Sequence, residues 1–323
     1  MKAIRVHQTG GPEVLQLEDV PTPSPGSGEI LIRVEAIGVN FIDVYQRKGL
    51  YKVAVPFTPG QEAAGTVEAI GAGVVDFAVG DKVGCYYPGL GGYAEFAVAP
   101  ADRVVALPDG VSAHQGAALM LQGMTAHYLA TTTFPLKPGD ACLVHAAAGG
   151  VGLLLCQIAK RRDALVFGTV STEAKAELAL VAGVNEVIRY TEQDFETEIK
   201  RLTGGVGVQV VYDSVGKTTF EKGLRCLAKR GMMVLYGQSS GPVAPVDPQL
   251  LNQLGSLFLT RPMLAHYVAT RHELEQRSGD LLHWVLDKTL QLRIEHEFPL
   301  ARAADAHIEL EARRTTGKVL LVP

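Results

Sequence analysis

The sequence predicts an α/β protein in which a doubly wound parallel sheet of six strands is joined to a β-rich portion of barrel or sandwich type. Three observations predict it. Gly139 to Lys160 reads as a buried strand (141–147), a turn of very small residues and a helix that begins at Gly150. Between about Thr125 and Thr260, apolar strand runs alternate with helical patterns. Ahead of them, residues 1 to about 124 offer short alternating or β-branched runs separated by Gly and Pro clusters, without regular helices between.

In chain order, the β-rich portion contributes runs at 2–7, 29–36, 65–70, 82–86, 94–98 and 103–106. The segment Pro21-Thr-Pro-Ser-Pro-Gly-Ser-Gly28 between the first two is a loop, because proline removes the donors that a helix or central strand needs. The parallel sheet is expected from 141–147, 165–170, 186–190, 208–212, 232–236 and 256–259. Ligands of such a sheet gather at the carboxyl ends of its strands. That rule brings Ser171, Tyr190, Ser214 and Gly237-Gln238-Ser239 around one crevice. After Arg261, a largely helical stretch at 266–289, a second helix at 300–314 and a final strand at 318–322 are expected. About 60 residues are few for a separate domain. The tail therefore joins the N-terminal part: 1–124 with 261–323 as one discontinuous domain, and 125–260 as the other.

Composition removes several classes. Charged residues make up 20% of the chain and the net charge is −4, so nothing resembles the basic footprint of a nucleic-acid binder. Cys85, Cys142, Cys156 and Cys226 are scattered and form no C-x-x-C pair, which fits small core residues in a reducing cytoplasm. The N-terminus starts as a strand, without an apolar signal core or transit segment. No apolar run approaches the roughly 20 residues that span a bilayer. There is no G-x-S-x-G elbow and no G-x-x-x-x-G-K-[ST] loop, so hydrolase and NTPase readings lack support.

Ala147-Ala148-Gly149-Gly150-Val151-Gly152 matches G-x-G-x-x-G with alanine in the first place. Alone the hexapeptide is weak, and a tight turn without a ligand is its other reading. Set between an apolar strand and a helix, it favours dinucleotide binding, with a pyrophosphate on the helix N-terminus. An acidic residue about 20 positions on would hold the ribose 2′-OH of NAD. Here the second strand runs out in Gly168-Thr-Val-Ser-Thr172, and Lys175 follows. A hydroxyl and a cation suit a 2′-phosphate, hence NADPH. Glu173 is the counter-evidence, and Lys175 reads equally well as a solvated helix charge. The nine histidines are dispersed without metal-ligand spacing, so no metal is expected. His145 precedes the glycine turn, where a packed strand histidine is favoured over a cofactor contact.

The combination of these stretches resembles the zinc-independent quinone oxidoreductases of the medium-chain dehydrogenase/reductase superfamily, the zeta-crystallin-like group, from end to end. Gly10-Gly11-Pro12-Glu13-Val14-Leu15, Ala36–Asp43, the whole of Gly139–Lys160, Val211–Gly216 and Arg313–Lys318 carry the resemblance. It is strongest toward the bacterial NADPH:quinone reductases. It implies a GroES-like β-barrel catalytic domain beside a Rossmann domain, NADPH as cofactor and a homodimer. Zinc-dependent relatives carry a ligand histidine in Gly-His-Glu; here Gly60-Gln61-Glu62 stands instead, and no cysteine occurs around Asn40–Asp43.

Residue by residue, the resemblance implies Asn40, Tyr45 and Tyr51 as the polar wall at nicotinamide and substrate. Thr125, Gly149, Gly150, Val151 and Gly152 would hold ribose and pyrophosphate. Ser171, Lys175 and Tyr190 would flank the adenosine and its 2′-phosphate. Ser214, Gly216, Tyr236, Gly237 and Ser239 would lie at later strand ends, while Phe258, Thr260 and Arg313 close the nicotinamide end. His127 stands where near relatives have an aromatic. The expected reaction is reduction of a small-molecule quinone by NADPH, with reduction of activated C=C bonds (enals and enones) as the alternative. A non-catalytic, crystallin-like nucleotide or RNA binder is a third reading, which the acidic net charge disfavours. The apolar run 255–260 is expected at a sheet edge, where pairing with a second copy would cover it.

Overall fold

A computed structural model describes all 323 residues. They form two compact units, Met1–Met124 with Val268–Pro323, and Thr125–Tyr267. Residues 261–267 thus group with the second unit.

The first unit opens with an antiparallel ribbon, β1 (Lys2–Arg5) and β2 (Gln16–Asp19). It continues with β3 (Glu29–Val39), α1 (Phe41–Arg47), β4 (Glu62–Ile70), β5 (Lys82–Tyr86), β6 (Phe96–Pro100), β7 (Val104–Ala106) and α2 (Ala113–Leu119). The helix α3 (Gln122–Tyr128) carries the boundary between the units.

The second unit holds six strands: β8 (Ala141–Val144), β9 (Leu165–Val170), β10 (Glu186–Arg189), β11 (Val208–Asp213), β12 (Leu227–Leu235) and β13 (Phe258–Thr260). Its helices are α4 (Gly150–Arg161), α5 (Glu173–Val181), α6 (Phe195–Leu202), α7 (Phe220–Cys226), α8 (Pro248–Gln253) and α9 (Leu264–Tyr267). The chain then returns to the first unit with α10 (Arg271–Leu286), β14 (Ile294–Pro299), α11 (Ala303–Glu311) and β15 (Lys318–Val322).

All ladders of the second unit's sheet are parallel, in the order β10-β9-β8-β11-β12-β13. The order reverses between β8 and β11, which is the switch point of a doubly wound sheet. Apolar residues of the sheet and its helices, among them Leu143, Phe167, Ile188, Ile199, Val211 and Leu224, form the core of this unit. The first unit has a seven-stranded sheet, β14-β15-β3-β4-β5-β7 with β6 also on β3. It is a path of strands with β14 and β7 at its ends. Its own core gathers Ile4, Ile30, Ile32, Val67, Tyr93, Val319 and Leu321.

Several boundaries differ from the sequence reading for local reasons. β8 stops at Val144, short of Ala147, because the backbone is already turning. Ala146 takes a positive φ of 53°, and the Gly149 N–H donates to its carbonyl at 2.9 Å. The helical stretch expected at 266–289 is broken before Arg271. There Thr270 and Glu273 form a reciprocal capping box that starts a new helix. β2 and β14 are not expected from the sequence: β2 is largely exposed, and the alternation of β14 rests on only two apolar residues, Ile294 and Phe298.

Candidate active site

In the first unit, strand register builds the wall. Ile37 pairs with Ala63 across β3 and β4, and Val39 with Val319 across β3 and β15. One step further along each ladder, Asn40, Glu62 and Lys318 converge, all of them buried. Gly38 makes room for them: a Cβ there would overlap the Glu62 carboxylate.

The amide of Asn40 is fully engaged. Its Nδ2 donates to Glu62 Oε1 at 2.6 Å and to the Gly38 carbonyl at 3.3 Å. Its Oδ1 accepts from Gln122 Nε2 at 3.1 Å and from Lys318 Nζ at 3.3 Å. Lys318 and Glu62 also form an ion pair, and Glu62 Oε2 accepts from the Leu121 N–H at 2.6 Å. Both N–H donors of the Asn40 amide are thus spent within the protein. Burial lowers the Lys318 ammonium pKa, against the pull of Glu62.

Asn40 also caps α1, with Asp43 Oδ2 accepting its backbone N–H at 2.8 Å. Asp43 is fully buried, which raises its pKa to about 7. Two residues on, the buried Tyr45 ring meets Phe41 at 6.0 Å and Tyr51 edge-on at 5.5 Å. The structure therefore brings Asn40, Tyr45 and Tyr51 together around α1. Arg313 lies in this unit just past α11, exposed and with φ of 59°.

In the second unit, the glycine turn leads from β8 into α4 at the switch point. A Cβ at Gly152 would come 2.8 Å from the Ala147 carbonyl oxygen and overlap that of Ala146. Gly149 is the N-cap of α4, so the amides of Gly150, Val151 and Gly152 have no carbonyl one turn earlier to bond. Backbone donors so placed can take an anion. His145, the residue after β8, is packed: its Nδ1 lies 3.0 Å from Thr169 Oγ1, and its ring packs on Phe195. Burial lowers its pKa, so it is neutral at pH 7.

At the end of β9, Ser171 precedes the Thr172 cap of α5, and Lys175 stands in that helix's first turn. Thr191 Oγ1 donates to the Ser171 carbonyl at 3.0 Å and ties the two strand ends together. Tyr190 is exposed beside them. Glu173 is paired: Arg189 reaches it at 3.1 Å and Glu192 at 2.7 Å.

The loop after β11 is tied by buried Asp213, whose carboxylate accepts from the N–H groups of Val215 and Gly216 and from Thr219 Oγ1. The backbone N–H groups of Tyr236 and Gly237 donate to the Asp213 carbonyl, and that of Ser239 to Ser214. Ser214, Gly216, Tyr236, Gly237 and Ser239 thus form one platform. Gly237 must be glycine, since a Cβ would stand 2.6 Å from the Ser214 carbonyl oxygen. Thr125 is buried on α3. Thr260 ends the outermost strand, and Phe258, 56% exposed, stands at its start, two residues short of the carboxyl edge.

Comparison with known proteins fits both units. Residues 26–109 match the family model of the alcohol dehydrogenase GroES-like domain, and residues 150–276 that of zinc-binding dehydrogenase. A quinone oxidoreductase of Pseudomonas aeruginosa is 45% identical over 323 residues, covering 100% of this chain and 99% of that protein. The chain belongs to the quinone oxidoreductase family. The crystal structure of the Escherichia coli quinone oxidoreductase complexed with NADPH superposes with a TM-score of 0.98 at 44% identity, over 100% of both chains. A 2-haloacrylate reductase of Burkholderia is 43% identical over 98% of each chain.

For a quinone oxidoreductase, Glu62, Lys318, Gln122, Asp43 and Arg189 are the residues that sequence reading passed over. A signal existed for two: Glu62 and Lys318 are lone charges at the start of apolar strand runs. No group of three or more His, Cys, Asp or Glu is arranged to hold a metal ion, and no helix is long and apolar enough to cross a membrane.

Proposed function

We propose that this chain reduces quinones with NADPH, without a metal. The glycine turn at the switch point carries this reading, supported by full-length similarity to quinone oxidoreductases, one of them complexed with NADPH. NADPH, when bound, supplies the hydride: quinone, NADPH and one proton give hydroquinone and NADP⁺.

The chain's own residues bind and orient. The turn Gly149–Gly152 lets a pyrophosphate approach, and the amides of Gly150 and Val151 take its charge. Ser171, Lys175 and Tyr190 hold the adenosine with its 2′-phosphate. Arg189, shared with Glu192, offsets part of the charge of Glu173, the carboxylate that would repel it. Thr125 and the platform of Ser214, Gly216, Tyr236, Gly237 and Ser239 hold the ribose side, with Thr260 toward the nicotinamide end.

On the substrate side Tyr45 and Tyr51 supply aromatic surface and hydroxyls. The proton comes from water or from one of these hydroxyls. Asn40, with its amide engaged, holds the wall. A quinone is electrophilic enough to need position more than activation. We further propose a cytoplasmic homodimer paired through the β13 edge. Its apolar Phe258 and Leu259 are exposed, and the four cysteines are free thiols.

The similarity to a 2-haloacrylate reductase favours a second reading, reduction of activated C=C bonds. Steady-state kinetics with NADPH decides between them. Turnover of 1,4-benzoquinone is expected to exceed that of a 2-alkenal, and a large alkenal preference rejects the quinone reading.

A further inference from the structure

Resting on this reading, we propose that Glu62 and Lys318 are positioning residues for the reduction: their buried pair locks the Asn40 amide in one of its two flip states and through it orients Gln122. The argument is one of donors and acceptors. Lysine can only donate and an ionised carboxylate can only accept. Lys318 therefore requires the Asn40 oxygen on its side, and Glu62 requires the NH2 on its own. Rotating the amide by 180° would set NH2 against the ammonium and oxygen against the carboxylate.

The lock propagates. Gln122 gives its Nε2 to Asn40 Oδ1, so its Oε1 faces away, buried and without a hydrogen-bond partner. A buried acceptor of this kind is satisfied by a donor O–H, and the hydroxyl that forms on a quinone oxygen as it is reduced and protonated is one. Stability alone does not account for the pair, since buried ion pairs are often no more stabilising than apolar residues of the same volume. Orientation does.

The chain has only three asparagines, Asn40, Asn185 and Asn252, so selective 15N-asparagine labelling gives three side-chain NH2 pairs to follow by NMR. In the wild-type protein one pair, lost in Asn40→Ala, should lie well downfield from the others. The double substitution Glu62→Gln with Lys318→Met leaves no lone buried charge. It is expected to collapse that downfield pair and to lower kcat for 1,4-benzoquinone at least about 10-fold, with KM for NADPH within about twofold. Lys318→Arg should keep the signals and most of kcat. Unchanged signals, or changed signals with full kcat, overturn the proposal.

Gln122→Met cuts only the last link and sits on a half-buried helix position, so it serves if the double variant fails to fold. It is expected to lower kcat while the Asn40 pair stays downfield, and unchanged kcat overturns the relay. Wild-type turnover is measured first. Its absence with quinone rejects the functional reading, and the same variants are then compared by NMR and with a 2-alkenal.

Discussion

The phenolic oxygen of Tyr93 stands 2.9 Å from Nε2 of His307, although 214 positions separate the two residues. The contact orders a whole chain of protons. Arg47 can only donate, and its Nη1 lies 3.1 Å from His307 Nδ1. That nitrogen must accept, so the ring proton sits on Nε2 and is donated to Tyr93. The Tyr93 hydroxyl in turn donates to Asp43 Oδ2 at 3.1 Å. At the other end Arg47 donates to Glu311 at 2.5 Å, near the surface. Burial, then the neighbouring Arg47, holds His307 neutral with a pKa of about 3.

Asp43 makes stability depend on pH. Its folded pKa of about 7 lies above the unfolded value of 3.8, because burial disfavours the carboxylate; Glu62 adds to the rise, while the Asn40 N–H, Tyr93 and Lys318 oppose it. Stability from this group is complete below pH 3.8 and is lost as pH rises through 7. His307 pulls the opposite way and cancels in a comparison with Asp43→Asn. The variant should gain on the wild-type protein by up to about 4 kcal/mol between pH 4 and pH 8, measured from urea midpoints. A difference that stays flat with pH would count against a raised Asp43 pKa.

Gly152→Ala tests the nucleotide turn. The added methyl group overlaps the Ala146 carbonyl, so the turn must shift. Overpacking of this kind costs about 1–3 kcal/mol of stability. NADPH affinity, read by fluorescence titration, should fall about 10-fold or more; equal affinity would place the pyrophosphate elsewhere.

Lys175→Ala should weaken NADPH about 10-fold, or about 1.4 kcal/mol, while NADH changes little. Arg189→Gln unmasks Glu173 and should weaken NADPH about threefold, an effect that shrinks in high salt. Adding Glu173→Gln should restore affinity. Equal losses for both nicotinamides would remove the 2′-phosphate from this corner.

Phe258→Asp places a charge on the exposed β13 edge. Sedimentation velocity should show a dimer for the wild-type protein and a monomer for the variant. A dimer in both would put the interface on another face.

Most of the fold and of the nucleotide turn was legible in the linear chain. Local spacing carries strand, turn and helix: glycines at 149, 150 and 152 allow a close approach to the backbone, and alternating apolar runs must pair to bury themselves. The lack of an acid at the tip of β9, in Ser171-Thr172, is likewise a local fact. What tertiary structure alone decided is which charges are buried together. Asn40, Glu62 and Lys318 lie 22 and 256 positions apart, and only the β3–β4 and β3–β15 registers set them side by side. Pairing of Glu173 with Arg189, which also holds Glu192, depends on two neighbouring strand ends as well. Spacing fixes what a segment can do with its own neighbours; burial and long-range hydrogen bonds fix the charge a side chain carries and the direction it faces.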